Sequence, residues 1–290
     1  MCIRDSNTKA VPSERILDLS FSSGYNSETS LSDGLLYDGG DDDDLGYDDG
    51  TRDFPSFVQR AINSNQKLDR SNFKTYELAN AGREFVNSEL WVIQEGDVPL
   101  DNSVSFTYGD ELDIGIEDIL DDESASIGVL LTAGVKSSWE TQEGIRQTGD
   151  IQGQGDGTSI VIRGNDKTFK STSNNVTTYL MAVAGIETDT AELKYTGMYI
   201  HKGTKEARTL QGYDTSDSGN VREDFTEFFE RELTNHQLNY NYIFQNDMEL
   251  DVRLAGGDAS RYAPYESCLL YTSDAADEGL GVDLGGRRII

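Results

Sequence analysis

The sequence predicts an all-β protein, an antiparallel transmembrane β-barrel that is incomplete, with about seven strands in an open curved sheet and long polar loops. Three observations lead to this prediction. Segments in which apolar and polar residues alternate recur along the chain, and this period is typical of strands. The connections between these segments are short at one end and long at the other. The longest largely apolar run, 127–135, is far shorter than the roughly 18–20 residues that a membrane helix needs.

The clearest pair of strands is a hairpin near the end of the chain, formed by 236–244 and 248–254. In the second segment Leu250 and Val252 alternate with charged residues. A charged side chain that faces lipid at the middle of a bilayer costs roughly 2–4 kcal/mol for Arg or Lys. The sequence therefore predicts that Leu250 and Val252 face lipid and that the charged residues between them face the lumen.

Five further segments have a similar alternating pattern, which brings the total to seven strands. They are 14–25, 102–108, 127–139, 177–187 and 191–202. The short connections are 117–125, 188–190 and 246–247, and the long polar connections are 29–98, 141–170 and 205–224. Short turns at one end and long loops at the other are characteristic of outer-membrane barrels. A β-sandwich usually has shorter strands, with turn signals every 8–12 residues or so at both ends.

The composition excludes some classes of partner and site. The formal net charge of −29 argues against nucleic acid as a partner, because phosphate binding needs clusters of Lys and Arg. The two cysteines, Cys2 and Cys268, both lie in terminal segments that do not look like native protein. The native part therefore has no disulfide, thiol nucleophile or cysteine-based metal site.

Those terminal segments resemble translated sequencing adapters. Residues 1–6, MCIRDS, match a translation of the end of a transposon-based adapter, and 268–290 match its reverse complement and outer part. Such segments are set aside before fold reasoning. We expect the native part, 7–267, to be a fragment that is open at both ends, and we expect the second adapter segment not to pack.

Three stretches of the native part resemble the TonB-dependent receptors of the bacterial outer membrane. Residues 7–30, NTKAVPSERILDLSFSSGYNSETS, are similar to the junction between the plug domain and the first barrel strand. Residues 39–55, GGDDDDLGYDDGTRDFP, are similar to a segment of the first long loop in one branch of the family, in which Asp44 replaces the usual Trp. Residues 228–266 resemble a family hairpin that ends in R-x-APYE.

The resemblance implies an active transporter in the outer membrane that takes up siderophore-bound iron, cobalamin or an oligosaccharide. Residues 7–13 would be the end of the plug domain, and 14–267 the N-terminal part of the barrel. The implied partners are the TonB–ExbB–ExbD complex, acting through the plug, the lipid and lipopolysaccharide of the membrane, and an unidentified small-molecule or oligosaccharide ligand. The family's best-defined functional residues lie in the plug, so none is transferred to this sequence.

The acidic segment, residues 38–53, contains the candidate site residues. A calcium-binding EF-hand requires a spacing of ligands that no register here supplies. A solvated external loop, a ligand-contacting loop and a divalent-cation site remain the alternatives. The residues of the predicted ligand-contacting loop are Asp41, Asp42, Asp43, Asp44, Asp48 and Asp49.

Other residues that could carry chemistry have ordinary interpretations. His201 is expected to end a strand and His236 to begin one, both near a membrane interface. The aromatic residues are expected to form a girdle at the bilayer interfaces rather than a stacking platform for a ligand; they are Trp139, Tyr195, Tyr199, Tyr240 and Tyr242. The sequence has no signature of a catalytic nucleophile, so we expect no enzyme activity, cofactor or metal site.

Two other classes of protein remain as alternatives. A passive porin would share the strands, turns and girdle but would lack a plug. A secreted acidic β-sandwich would use its surface for binding, with calcium as one option. The asymmetry of the connections and the plug-like junction count against both.

Overall fold

A single long antiparallel sheet dominates the protein. The computed structural model describes residues 14–86, 89–114, 125–153, 159–216, 219–246 and 248–272. The sheet has seven strands. They are β1 (Ile16–Gly24), β4 (Asp101–Ile114), β5 (Ala125–Gly153), β6 (Ser159–Thr188), β7 (Ala191–Asp214), β8 (Gly219–Ile243) and β9 (Glu249–Thr272).

Each strand of this sheet pairs with the next one along the chain, in the order β1-β4-β5-β6-β7-β8-β9. All six pairings are antiparallel. Every predicted strand corresponds to one strand of this sheet, so the mostly antiparallel β architecture and the seven strands of the large sheet are confirmed. Within the described residues β1 and β9 form two edges and the sheet does not close. The short connection at 188–190 is also confirmed, whereas 115–124 and Asp247 lie outside the described residues.

The prediction of long polar loops at 141–170 and 205–224 is wrong. Strands β5 and β6 pair from Ala125 through Gly153, and β7 and β8 pair from Ala191 through Asp214. Polar residues predominate on both faces of these parts, and the few apolar ones, such as Phe169, Leu210 and Val221, do not alternate with a period of two, which is the pattern that identifies a strand in a sequence. Hydrogen bonds to the neighbouring strands form the sheet there instead.

A buried cluster of ionic contacts joins β6, β7 and β8 at their polar ends, near the start of β6, the end of β7 and the start of β8. Lys167 on β6 is 5% exposed and lies 2.5 Å from Asp214 on β7 and 2.9 Å from Glu223 on β8. Burial opposes the charge of Lys167, but hydrogen bonds from its ammonium group to both carboxylates hold its pKa above the ordinary value. The hydrogen bond from Lys167 is also the main cause of the lowered pKa of Asp214.

The connection between β1 and β4, expected to be a long polar loop, contains regular structure. It includes a two-stranded sheet of β2 (Asp33–Tyr37) and β3 (Ile93–Asp97), and the helices α1 (Ser56–Asn63) and α2 (Thr75–Val86). Short 3₁₀ turns occur at Asp43–Leu45 and Glu89–Trp91. The residues that attach this insert to the large sheet form a small core of Leu35, Tyr37 and Leu90 against Ala207.

The two ends of the chain differ in what the structure describes. Residues 1–13, which include the first adapter-like segment and the predicted end of the plug, lie outside the described residues, as do 273–290. Strand β9 continues past residue 267, and Cys268 pairs with Phe225 on β8. The expectation that the second adapter-like segment does not pack is therefore wrong for 268–272, because the long edge of β8 offers these residues backbone hydrogen bonds.

Candidate functional site

An apolar band crosses all seven strands of the large sheet on one face. Residues that pair directly on neighbouring antiparallel strands have side chains on the same face, so the register assigns each residue to a face. The members of the band are Leu17, Leu19 and Phe21 on β1; Val104, Phe106 and Tyr108 on β4; Ile127, Val129, Leu131, Ala133 and Val135 on β5; Leu180, Ala182, Ala184 and Ile186 on β6; Leu193, Tyr195 and Tyr199 on β7; Leu238, Tyr240 and Tyr242 on β8; and Leu250, Val252 and Leu254 on β9.

Many side chains of the band are exposed. Leu19 is 62% exposed, Leu180 44% and Leu254 61%. Large contiguous exposed apolar surfaces are rare on monomeric soluble proteins and indicate contact with another apolar phase or partner. The residues that alternate with the band are mostly polar or glycine, apart from apolar residues such as Leu130, Val183 and Ile200, and on β9 they include Glu249, Asp251 and Arg253. The sheet therefore separates an apolar face from a polar one, and the charges of β9 lie opposite Leu250 and Val252 as predicted.

The band crosses the strands obliquely. The row of paired residues that contains Phe21, the last band residue on β1, reaches Ser260 on β9. The corresponding last band residue on β9, Leu254, lies six residues away from Ser260 along that strand. The offset of six residues is about 20 Å along the strand, and the six steps from β1 to β9 span about 29 Å across the sheet. The ratio of these two lengths means that the strands are tilted by about 35° from the direction perpendicular to the band.

The acidic segment packs on the same face, directly beyond the band. Arg52 has a fully buried side chain, and its guanidinium lies 2.6 Å from Asp43, 3.1 Å from Asp48 and 4.0 Å from the ring centroid of Phe228 on β8. Lys205 on β7 adds a contact of 2.8 Å to Asp43. Burial opposes the charge of Arg52, but its hydrogen bond to Asp43 and nearby charges hold its pKa above the ordinary value.

A second group of contacts attaches the segment to strands β7 and β8. The ring of Tyr47 stacks on the buried ring of His201, with centroids 3.8 Å apart and planes at 7°. Nε2 of His201 lies 3.2 Å from a carboxylate oxygen of Glu230, whose other oxygen accepts a hydrogen bond of 2.5 Å from the backbone N–H of Asp48. Burial raises the pKa of Asp48 and outweighs the lowering effects of Arg52.

The six predicted site residues have different surroundings. Asp43 and Asp48 meet at Arg52 and serve to attach the segment. Asp49 is exposed and accepts hydrogen bonds from the N–H groups of Thr51, at 2.9 Å, and Asp41, at 2.8 Å. A hydrogen bond with the side chain of Thr51 is the largest cause that lowers the pKa of Asp49 to about 2, and these two backbone N–H groups add to it. The remaining three, Asp41, Asp42 and Asp44, are exposed.

No cluster of His, Cys, Asp and Glu suited to a metal ion occurs among the residues that the structure describes. Asp43 and Asp48 are already neutralised by Arg52 and Lys205, which explains why the acidic composition of the segment produces no such cluster. The carboxylates of the segment's predicted site residues that remain exposed are those of Asp41, Asp42, Asp44 and Asp49.

Sequence reasoning missed the residues that attach the segment, namely Arg52, His201 and Glu230. The expectation that His201 ends a strand and His236 begins one is wrong, because both lie inside long strands. Nδ1 of His236 hydrogen-bonds to the hydroxyl of Tyr195 at 2.7 Å. The sequence contains one signal of this attachment, namely Tyr47 and Arg52 within the acidic segment. A buried Arg needs carboxylate partners, and the segment supplies them.

The aromatic residues that were expected to form a girdle all fall on the apolar face. They are Trp139, Tyr195, Tyr199, Tyr240 and Tyr242. Tyr240 and Tyr242 lie with ring centroids 6.4 Å apart. Their position on this face agrees with a girdle, and the girdle itself stays a prediction.

A groove of about 530 Å³ lies between the small sheet and strands β5–β8. Apolar side chains of Leu35 and Phe169 line it together with Glu95, Lys170 and Arg222. Lys170 is paired with Glu143 at 3.1 Å. Because charges of both signs line the groove, it selects no particular charge of ligand.

Comparison with known proteins adds no family assignment. No protein-family model, curated protein or solved structure matches the chain. Within the described residues, neither helix has the length and apolar character that crossing a membrane requires.

Proposed function

We propose that this chain is part of the barrel of an active transporter in the bacterial outer membrane, of the TonB-dependent receptor class. The single observation that carries the proposal is the oblique apolar band on one face of a continuous antiparallel sheet. Transmembrane barrels have an outward apolar band about 25 Å tall, with strands tilted by about 35–45°. The tilt of about 35° that follows from the register lies within this range.

The height of the band supports the same proposal. On β5 it runs from Ile127 to Val135, nine residues or about 30 Å along the strand, and a tilt of about 35° reduces this to about 25 Å across the band. Strands β5–β9 are 24–30 residues long. They exceed the ~9–11 residues that a bilayer requires, so their polar parts would extend outside the membrane.

The transporter part of the proposal is supported by the resemblance of 7–30, 39–55 and 228–266 to TonB-dependent receptors. In this proposal a plug domain before residue 14 contacts the TonB–ExbB–ExbD complex, and the polar face of the sheet lines the lumen. The substrate would be a siderophore, cobalamin or an oligosaccharide. A secreted β-sandwich is disfavoured, because the long strands form one sheet instead of two facing sheets of short strands.

Membrane insertion is tested on the complete barrel that contains this chain, because the two open edges of the seven-stranded sheet alone would be costly in hydrocarbon. The barrel is refolded into phospholipid vesicles, which are floated on a density gradient in urea. The proposal expects the chain to float, with 104–108 and 129–135 protected from proteinase K. A chain that stays at the bottom in urea, with these residues cleaved, would contradict membrane insertion.

The class of transporter is tested by sequencing the source gene outward across both ends. A plug-sized domain with a TonB-binding segment upstream would support the receptor proposal. A barrel gene without a plug would instead identify a passive porin.

A further inference from the structure

We infer that the turn at Asp43–Tyr47 forms a lipid-contacting collar, in which Leu45 touches the outer-leaflet lipid at the upper limit of the apolar band. The inference rests on the proposed membrane insertion and goes beyond it, because it assigns a lipid contact to the insert between β1 and β4. The insert would otherwise be regarded as an external loop in water.

The turn packs on the apolar face of the sheet. Gly46 lies against the backbone of Gly203 on β7 and of Val176 on β6, both of which belong to the apolar face. Gly46 has a φ of +81°, a left-handed conformation that a residue with a side chain rarely adopts. The turn is therefore held close to the sheet on the lipid side, and not above the polar face.

The turn lies at the height at which the apolar band ends. The hydroxyl of Thr178 on β6 donates a hydrogen bond of 3.4 Å to the carbonyl oxygen of Leu45. Thr178 is two residues from Leu180, the last band residue on β6. On β7 the hydroxyl of Tyr47 lies 3.2 Å from that of Tyr199, which is the last band residue there. Both contacts place the turn at the limit of the band.

Leu45 projects an exposed apolar side chain from the turn. Its side chain is 51% exposed, although the neighbouring Asp43 and Gly46 are buried, and Leu180, two residues from the Thr178 that bonds to the turn, is 44% exposed. The apolar surface therefore continues from the band onto the turn. The occupant of that surface is the lipid that covers the band itself, because a second protein would have to displace the lipid around Leu180.

The exposed Asp44 beside Leu45 limits how deep the turn can lie. The cost of a charged side chain on the lipid face falls from roughly 2–4 kcal/mol at the midplane, for Arg or Lys, to about 0–1 near the interface. A carboxylate is acceptable at the level of the lipid headgroups but would be costly deeper in the hydrocarbon. Leu45 accordingly contacts the boundary between the headgroups and the acyl chains.

The test measures depth with a nitroxide spin label on this chain within its complete barrel, in lipid vesicles. Cys2 and Cys268 are replaced by Ser, and single cysteines are introduced as L45C, L131C and L31C. Leu131 lies in the middle of the band and reports membrane insertion. Leu31 is the matched control, because it is 64% exposed and belongs to the same insert. It is two residues from Thr29, whose hydroxyl accepts a hydrogen bond from the backbone N–H of Thr141 on β5. Thr141 is six residues beyond the band.

The readout is the ratio of collisions with oxygen to collisions with a water-soluble nickel chelate. We expect the highest ratio at position 131, a water-like ratio at 31, and a ratio at 45 several-fold above that at 31 but below that at 131. If 131 is lipid-exposed and 45 equals 31, the collar is overturned and the proposed function stands. A ratio at 45 equal to that at 131 also overturns the placement at the boundary. If 131 itself is water-like, membrane insertion fails and the collar fails with it.

Discussion

Gly203 on β7 lies directly against Gly46 of the insert, so that a Cβ atom on Gly203 would overlap the carbonyl oxygen and Cα of Gly46. The overlapping atoms are backbone and cannot be moved by a change of rotamer. This contact holds the acidic segment against the sheet, and it requires a residue without a side chain at each of the two positions.

The first prediction concerns this contact. Gly203→Ala should push the segment off the sheet and destabilise its attachment by about 1–3 kcal/mol, as overpacking does in a close-packed interior. Hydrogen exchange of the backbone amides of 42–52 measures the effect. Gly256→Ala is the control, because a Cβ atom there meets nothing within 4 Å. Equal protection of 42–52 in the two variants would contradict the contact.

The second prediction concerns Arg52. Arg52→Met keeps most of the apolar volume but leaves Asp43 and Asp48 without the buried guanidinium, and loss of one partner of a buried ion pair costs about 3–5 kcal/mol. Amides of 42–52 should therefore exchange much faster than in the parent chain. Arg60→Met on α1 is the control, since Arg60 is exposed.

A double-mutant cycle distinguishes the loss of the Arg52–Asp43 ion pair from a general loss of structure. In a double-mutant cycle, Asp43→Asn should cost less in the Arg52→Met background than in the parent chain, because the partner is already absent. Additive effects of the two changes would show that Arg52 and Asp43 do not act as a pair.

The third prediction is a pH dependence at the far ends of β6–β8. The pKa of Asp214 is lowered in the folded state by Lys167, so its contribution to stability is present above the ordinary pKa of 3.8 and is lost as the pH falls through the lowered value. Asp214→Asn should reduce the free energy of unfolding at pH 7 by about 1–3 kcal/mol. Urea titrations should show this difference shrinking as the pH falls below about 4. A difference that stays constant down to pH 2 would be inconsistent with the pair.

The fourth prediction concerns the two faces of β5. Leu131→Arg places a charge on the apolar face and should reduce the stability of the inserted sheet by about 2–4 kcal/mol, whereas Thr132→Arg places the same charge on the polar face and should cost much less. The fraction of chain that floats with vesicles in urea measures both. Similar losses in the two variants would show that the faces are not distinguished by lipid.

The sequence predicts the parts of the sheet in which one face is apolar. Leu250, Val252 and their neighbours alternate with charged residues, and the structure places both sets on the faces expected. The parts from 141 to 170 and from 205 to 224 were not predictable as strands, since polar residues occupy both faces there. Their pairing is stabilised by backbone hydrogen bonds and by contacts such as that of Lys167 with Asp214, which are long-range and have no period in the sequence.

The candidate site shows the same division. The sequence by itself determined that 38–53 is acidic and that the apolar residues recur on one side of seven strands, because composition and a period of two are local properties. Only the tertiary structure decided that Asp43 and Asp48 are neutralised by Arg52, that Tyr47 stacks on His201, and that the turn lies at the limit of the band. These outcomes depend on which strands pair and in what register, and the contacts of the turn and of Arg52 with the sheet join residues that are 130 or more positions apart in the chain.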